Sequence, residues 1–115
     1  MKYLCLVYGE EHMLWSHADA PKDHECFAYA DALMKSGHLI DGRPLELVET
    51  ARTVRVRDGK MSVTDGPFAE TKEQLAGFYL VEAKDMDEAI EIAAKIPPAR
   101  VGSIEVRPVR ELKVE

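Results

Sequence analysis

Apolar residues in this chain fall into short runs divided by polar turns, and the runs change period along the sequence. Tyr3-Leu4-Cys5-Leu6-Val7-Tyr8 is almost wholly apolar, which predicts a central strand covered on both faces. Gly9-Glu10-Glu11-His12 leaves that strand, and no clean period returns before Pro21. Cys26, Phe27, Ala30, Leu33 and Met34 then recur at helical spacing, predicting a helix capped by Asp23, running to about Lys35 and stopped by Gly37. His38-Leu39-Ile40 reads as a short strand ending at Asp41-Gly42, and Pro44 makes the next stretch extended or irregular.

The sharpest local signal is a hairpin over residues 53–64, turned by Asp58-Gly59, with Val54, Val56, Met61 and Val63 on one face and Arg55, Arg57 and Lys60 on the other. The polar stretch 64–73 follows as a shaped turn. Gly66 supplies a positive φ, Pro67 fixes its own φ, and Phe68 is placed to pin the turn to the core. Thr71-Lys72-Glu73-Gln74 has the form of a capping box, predicting one short helical turn. A strand over 77–83 comes next, then a helix capped near Asp85 and stopped by Pro97-Pro98, then a strand over 103–107.

The order strand, helix, strand, inserted hairpin, strand, helix, strand predicts an α+β sandwich with both helices on one side of an antiparallel sheet. Strands apolar on both sides leave the other face needing cover. A homodimer through that sheet face supplies it; the competing solution is a monomer covered by the hairpin and residues 13–15.

Composition changes this picture only at its edges. The 115 residues suit a single domain spanning 1–115, and 46% hydrophobic with 31% charged residues suits a buried core under a solvated surface. A net charge of −6 argues against direct nucleic-acid binding and against broad contact with an anionic membrane. No apolar run has the length of a membrane span or the flanks of a secretory signal, so the expected location is cytoplasmic. Cys5 and Cys26 lie in predicted strand and helix, and read as buried thiols.

Candidate chemistry rests on a few side chains. His38 suits a general acid or base near neutral pH, with Asp65 or Glu73 to orient it; Asp65 is equally suited to accept backbone N–H groups of its own turn. Lys72 suits an anionic substrate group, and Tyr8, Tyr29 and Tyr79 suit hydroxyl donors into a cavity, with Met13 and Trp15 covering an opening beside Tyr8. His12, His17 and His24 lack metal-ligand spacing, and the glycines and serines form neither a phosphate loop nor a nucleophile elbow, so no metal or cofactor is expected.

With these motifs the chain resembles the DGPF family of YCII-related proteins. The likeness rests on residues 1–8, Gly37-His38-Leu39, residues 53–60, the stretch Asp65-Gly66-Pro67-Phe68-Ala69-Glu70-Thr71-Lys72-Glu73, residues 77–83, Asp87-Glu88-Ala89, residues 93–97 and residues 103–108. It implies a ferredoxin-like sandwich with an inserted hairpin, paired into a dimeric α/β barrel. It also implies enzymatic activity through a His-Asp pair. The wider pattern's His belongs near the first helix, where His24 stands without the surrounding motif, whereas His38 belongs to the DGPF-type match. The resulting expectation is a cofactor-independent enzyme moving a proton on a small anionic or aromatic substrate, with His38 and Asp65 catalytic and Tyr8, Lys72, Glu73 and Tyr79 binding substrate. The alternative is a non-enzymatic ligand-sensing or protein-interaction module, because DGPF domains accompany extracytoplasmic-type sigma factors in some chains.

Overall fold

A computed structural model describes residues 1–114. Four strands form one antiparallel sheet: β1 (Lys2–Gly9), β2 (Leu39–Pro44), β5 (Gln74–Glu82) and β6 (Ser103–Pro108), in the order β2-β5-β1-β6. The helices are α1 (Asp23–Lys35) and α2 (Met86–Ala94). The remaining strands, β3 (Arg52–Arg57) and β4 (Lys60–Asp65), make a separate two-stranded sheet inserted between β2 and β5.

Strand periodicity splits β1 into two faces. Tyr3, Cys5 and Val7 are buried beneath the helices with Leu33, Ala89, Ile92, Ala93 and Ile96. Leu4, Leu6 and Tyr8 alternate with them and point to the opposite, open face. Cross-strand pairing carries the division into β5: Cys5 stands opposite Tyr79 and Tyr3 opposite Val81 on the helix side, while Leu6 stands opposite Phe78 and Leu4 opposite Leu80 on the open side. The central apolar residues of the open face are only half-buried, with no helix over them.

Several expected boundaries move. Lys22, not Asp23, is the cap of α1; Asp23 is the first helical residue, and the Glu25 carboxylate accepts the Lys22 N–H at 3.3 Å. Strand β2 continues through Asp41-Gly42 to Pro44 because a register shift after Leu39 lets it follow β5. Pro44 is accommodated on an edge strand whose outer side needs no donor. The helical turn expected after Thr71 does not form: the Thr71 hydroxyl donates to the Glu73 carbonyl at 2.6 Å, the Gln74 amide donates to the Thr71 carbonyl at 2.8 Å, and β5 begins at Gln74. Phe68 is not a core pin. It is 78% exposed and lies under the Arg55 guanidinium, 5.7 Å from ring centre to Cζ.

Residues 12–16 form a π-helical turn in which Leu14, rather than Met13 or Trp15, is buried. The Asp58-Gly59 turn has φ of 54° and 73°, the two left-handed residues of a type I′ hairpin. Among the described residues, no helix is long and apolar enough to cross a membrane.

Candidate functional site

The open face ends in a shallow, solvent-open cavity of about 470 Å³ lined by Tyr8, Thr71, Glu73, Ser103, Ile104 and Glu105. Three elements build it. Tyr8 is the last open-face residue of β1 and pairs with Ser103 at the start of β6. The stretch between β4 and β5 folds back against both strands and brings Thr71 and Glu73 to the rim. One contact closes the loop: the Ser103 hydroxyl donates to Glu73 Oε1 at 2.7 Å, which fixes the carboxylate and leaves its second oxygen uncommitted to protein among the described residues. Glu105 is ion-paired to Arg107 along the same strand, and Lys72 reaches Glu10 at 3.3 Å. The assembly offers an oriented carboxylate and a phenol beside a partly apolar wall.

Gly102 makes this junction possible. A Cβ there would collide with the Tyr8 carbonyl oxygen, so only glycine lets β6 enter the sheet beside Tyr8.

The candidate residues from sequence separate into groups. Tyr8 and Glu73 line the cavity together; Lys72 is not among its lining residues, and its exposed ammonium pairs with Glu10. Tyr79 does not join them, because it points to the helix side of the sheet; burial, with the neighbouring Cys26 and Tyr29, pushes its hydroxyl up to about 12. Tyr29 also lies under the helices, where its hydroxyl donates to the Ile92 carbonyl at 2.7 Å and burial raises it to about 12. His38 and Asp65 are not brought together. His38 Nδ1 meets the Ser36 hydroxyl oxygen at 2.7 Å, its Nε2 stands 3.6 Å from Glu88, and its carbonyl accepts the Glu82 N–H. Asp65 instead pairs with Arg52 across the hairpin root at 3.1 Å. The chain turns off toward the hairpin where Leu45 bonds Ala76, and six strand residues, roughly 20 Å at about 3.3 Å each, separate that point from Glu82 beside His38.

Sequence reasoning missed Ser103 and Glu105. Their signal is the strand's alternation, which puts Ser103, Glu105 and Arg107 on one face, but only the pairing with β1 shows that this face is also Tyr8's. A second cavity of about 470 Å³ lies under the start of α1, lined by residues that include Asp19, Lys22, Glu25 and Arg100. Its two most strongly placed charges neutralise each other, Arg100 to Glu25 at 2.9 Å, and the pair holds the Glu25 carboxyl below the usual range. Among the described residues no group of three or more His, Cys, Asp or Glu converges as a metal site; His12 and His17 stack edge-on at 5.6 Å.

Three comparisons bear on this arrangement. The sequence pattern of the YCII-related domain matches residues 1–113. An uncharacterised protein of Rhizobium meliloti (strain 1021) is 40% identical over 116 residues, covering 95% of this chain and 92% of that protein. Among solved structures, 5-chloro-2-hydroxyhydroquinone dehydrochlorinase from Burkholderia phenoliruptrix AC1100, in complex with 2,5-dihydroxybenzoquinone, superposes with a TM-score of 0.57 at 17% identity, over 96% of this chain and 94% of that one. At that identity the likeness establishes a shared α+β, ferredoxin-like fold.

Proposed function

The chain belongs to the YCII-related family, and from that membership we propose that it is a cofactor-independent enzyme moving a proton on a small anionic or aromatic substrate in the Tyr8–Glu73 cavity. The observation that carries the proposal is the Ser103–Glu73 hydrogen bond, which holds a carboxylate at a cavity that Tyr8 also lines. In the proposed reaction the free oxygen of Glu73 takes a proton from a ring hydroxyl or an activated C–H and returns it at a second position. The Tyr8 hydroxyl donates to the substrate oxygen on which charge gathers. The proton-moving role expected of His38 passes to Glu73, because His38 is occupied by Ser36 and Glu88 at the other end of the sheet. A dehydrochlorinase of the same fold bound to a hydroxylated quinone supports a hydroxylated ring as the substrate class.

The assembly proposed with it is a homodimer joined through the open sheet faces, which covers Leu4, Leu6, Phe78 and Leu80 and shuts water out of the cavity mouths.

Titration of isotope-labelled protein with 2,5-dihydroxybenzoquinone tests the site. Amide shifts are expected at Tyr8, Glu73 and Ser103; shifts confined to Lys22, Glu25 and Arg100 would move the ligand to the other cavity and end the proposal. Once a hydroxylated ring is found that turns over, Glu73→Gln is expected to lower kcat about 100-fold or more, the usual scale of general acid–base catalysis. His38→Gln is expected to leave kcat within about threefold. A second reading, ligand sensing without turnover, is favoured by one observation: the cavity carboxylates already have partners in Ser103 and Arg107. Saturable binding without consumption of any ring tested would select it.

A further inference from the structure

The side chains of the Tyr8–Glu73 cavity accept hydrogen bonds far more than they donate them. The Ser103 hydroxyl commits its hydrogen to Glu73 Oε1 at 2.7 Å, and the Thr71 hydroxyl commits its own to the Glu73 carbonyl at 2.6 Å. A hydroxyl has one hydrogen, so both present only lone pairs to a ligand. As carboxylates, Glu73 and Glu105 accept and do not donate, and Ile104 has no polar side-chain group. Among the described residues the Tyr8 hydroxyl has no protein partner, which leaves it the one side-chain donor of the cavity.

Charge leans the same way. Arg107 offsets Glu105 and Lys72 offsets Glu10, but Glu73 is held by a neutral hydroxyl, and no Lys or Arg lines the cavity. One negative charge therefore stands uncompensated there, on a chain whose net charge is −6. In an aqueous site, a like charge about 4 Å away is opposed by roughly fivefold in affinity. The lone Tyr8 donor adds a second requirement, an oxygen that can accept. A hydroxyl meets both, donating to Glu73 and accepting from Tyr8; an ammonium has no lone pair to offer.

We propose that the cavity selects a ring presenting two or more hydroxyl hydrogens and no carboxylate or phosphate group, and that Glu73 sets this selection. The inference rests on the Tyr8–Glu73 cavity being the substrate site, as proposed above, and narrows its substrate from the anionic class to the hydroxylated aromatic one. One ring hydroxyl donates to the free oxygen of Glu73, a second donates to a lone pair of Ser103 or Thr71, and a ring oxygen accepts from Tyr8. A carboxylate in the same place brings no hydrogen and meets Glu73 with like charge.

The experiment titrates isotope-labelled full-length protein at pH 7 with 3,4-dihydroxybenzamide, 3,4-dihydroxybenzoate and 3,4-dimethoxybenzamide, three related rings that separate charge from hydroxyl donors. Amide shifts at Tyr8, Glu73 and Ser103 are the readout. The dihydroxybenzamide is expected to shift all three with a dissociation constant at least about fivefold below those of the other two rings. In Glu73→Gln, whose side chain is uncharged and can donate, the gap between the benzoate and its benzamide is expected to close to within about twofold. A wild type that binds dihydroxybenzoate, or dimethoxybenzamide, at these amides as tightly as dihydroxybenzamide overturns the selection and leaves the cavity standing as the binding site. An unchanged gap in Glu73→Gln overturns the assignment to Glu73. No shift at these amides with any of the three rings overturns the substrate site and the selection together.

Discussion

Glu25 and Arg100 tie the start of α1 to the turn before β6, and their ion pair makes one contribution to stability depend on pH. The Arg100 hydrogen bond, then the Lys22 N–H, hold the Glu25 pKa below its unfolded value. Its stabilising effect is therefore complete above the unfolded value of about 4.3 and is lost as pH falls through the lowered folded one. Urea titrations of wild type and Arg100→Ala are expected to give midpoints that differ at pH 7 and converge near pH 2. A difference that persists at that pH would assign the contact to packing of the Arg100 stem. Gly102→Ala pushes a methyl group onto the Tyr8 carbonyl oxygen and is expected to cost about 2 kcal/mol, read as a lower thermal midpoint. The same scale shows why Tyr8 and Tyr79 looked equivalent in sequence. Both are aromatic strand residues, and only the parity of their pairing, Tyr8 with Ser103 and Tyr79 with Cys5, puts them on opposite faces. Of the two thiols expected to be buried, Cys5 is, and burial raises it to about 11; Cys26 is only half-buried, and is raised by burial and by Asp23 and Glu25. In native protein at pH 7, iodoacetamide is expected to leave Cys5 unlabelled until denaturant is added.

Elements whose signals are local came through the sequence best. The Asp85-Met86-Asp87-Glu88 cap is present: Asp85 Oδ1 accepts the Glu88 N–H at 2.9 Å, and Lys84 N–H reaches the Glu88 carboxylate at 3.0 Å. Asp85→Ala is expected to destabilise the protein by about 1 kcal/mol, measurable by denaturant titration. The hairpin is equally local, since Asp58-Gly59 sets its register without help. Thr71-Lys72-Glu73-Gln74 carries a similar capping signature and is not a helix, because Gln74 is claimed by Gly9 across the sheet and a strand pairing formed far along the chain outweighs one prospective turn. Strand β2 was underestimated for the same reason. Nothing near Asp41-Gly42-Arg43 announces a strand; β5 provides the edge that makes it one. The candidate site was legible to the extent that its turn is local, and illegible where it needs β6 beside β1.

At the scale of the molecule, the strand order β2-β5-β1-β6 puts the first strand in the middle, flanked by the fifth and the sixth. The order follows from two crossovers through helices on one side of an antiparallel sheet, and the family resemblance carried it where hydropathy alone gave only a layer count. The position of β1 also bears on how the protein is made. Strand β1 has both hydrogen-bonding edges committed to segments made later in the chain, so a nascent chain ending after α2 leaves one of them bare and exposed to stray pairing. Most of the contacts that define the sheet join distant parts of the chain, and refolding from urea is expected in the millisecond-to-second range rather than in microseconds. A chain synthesised only as far as α2 is therefore expected to need that open sheet edge shielded until β6 has emerged.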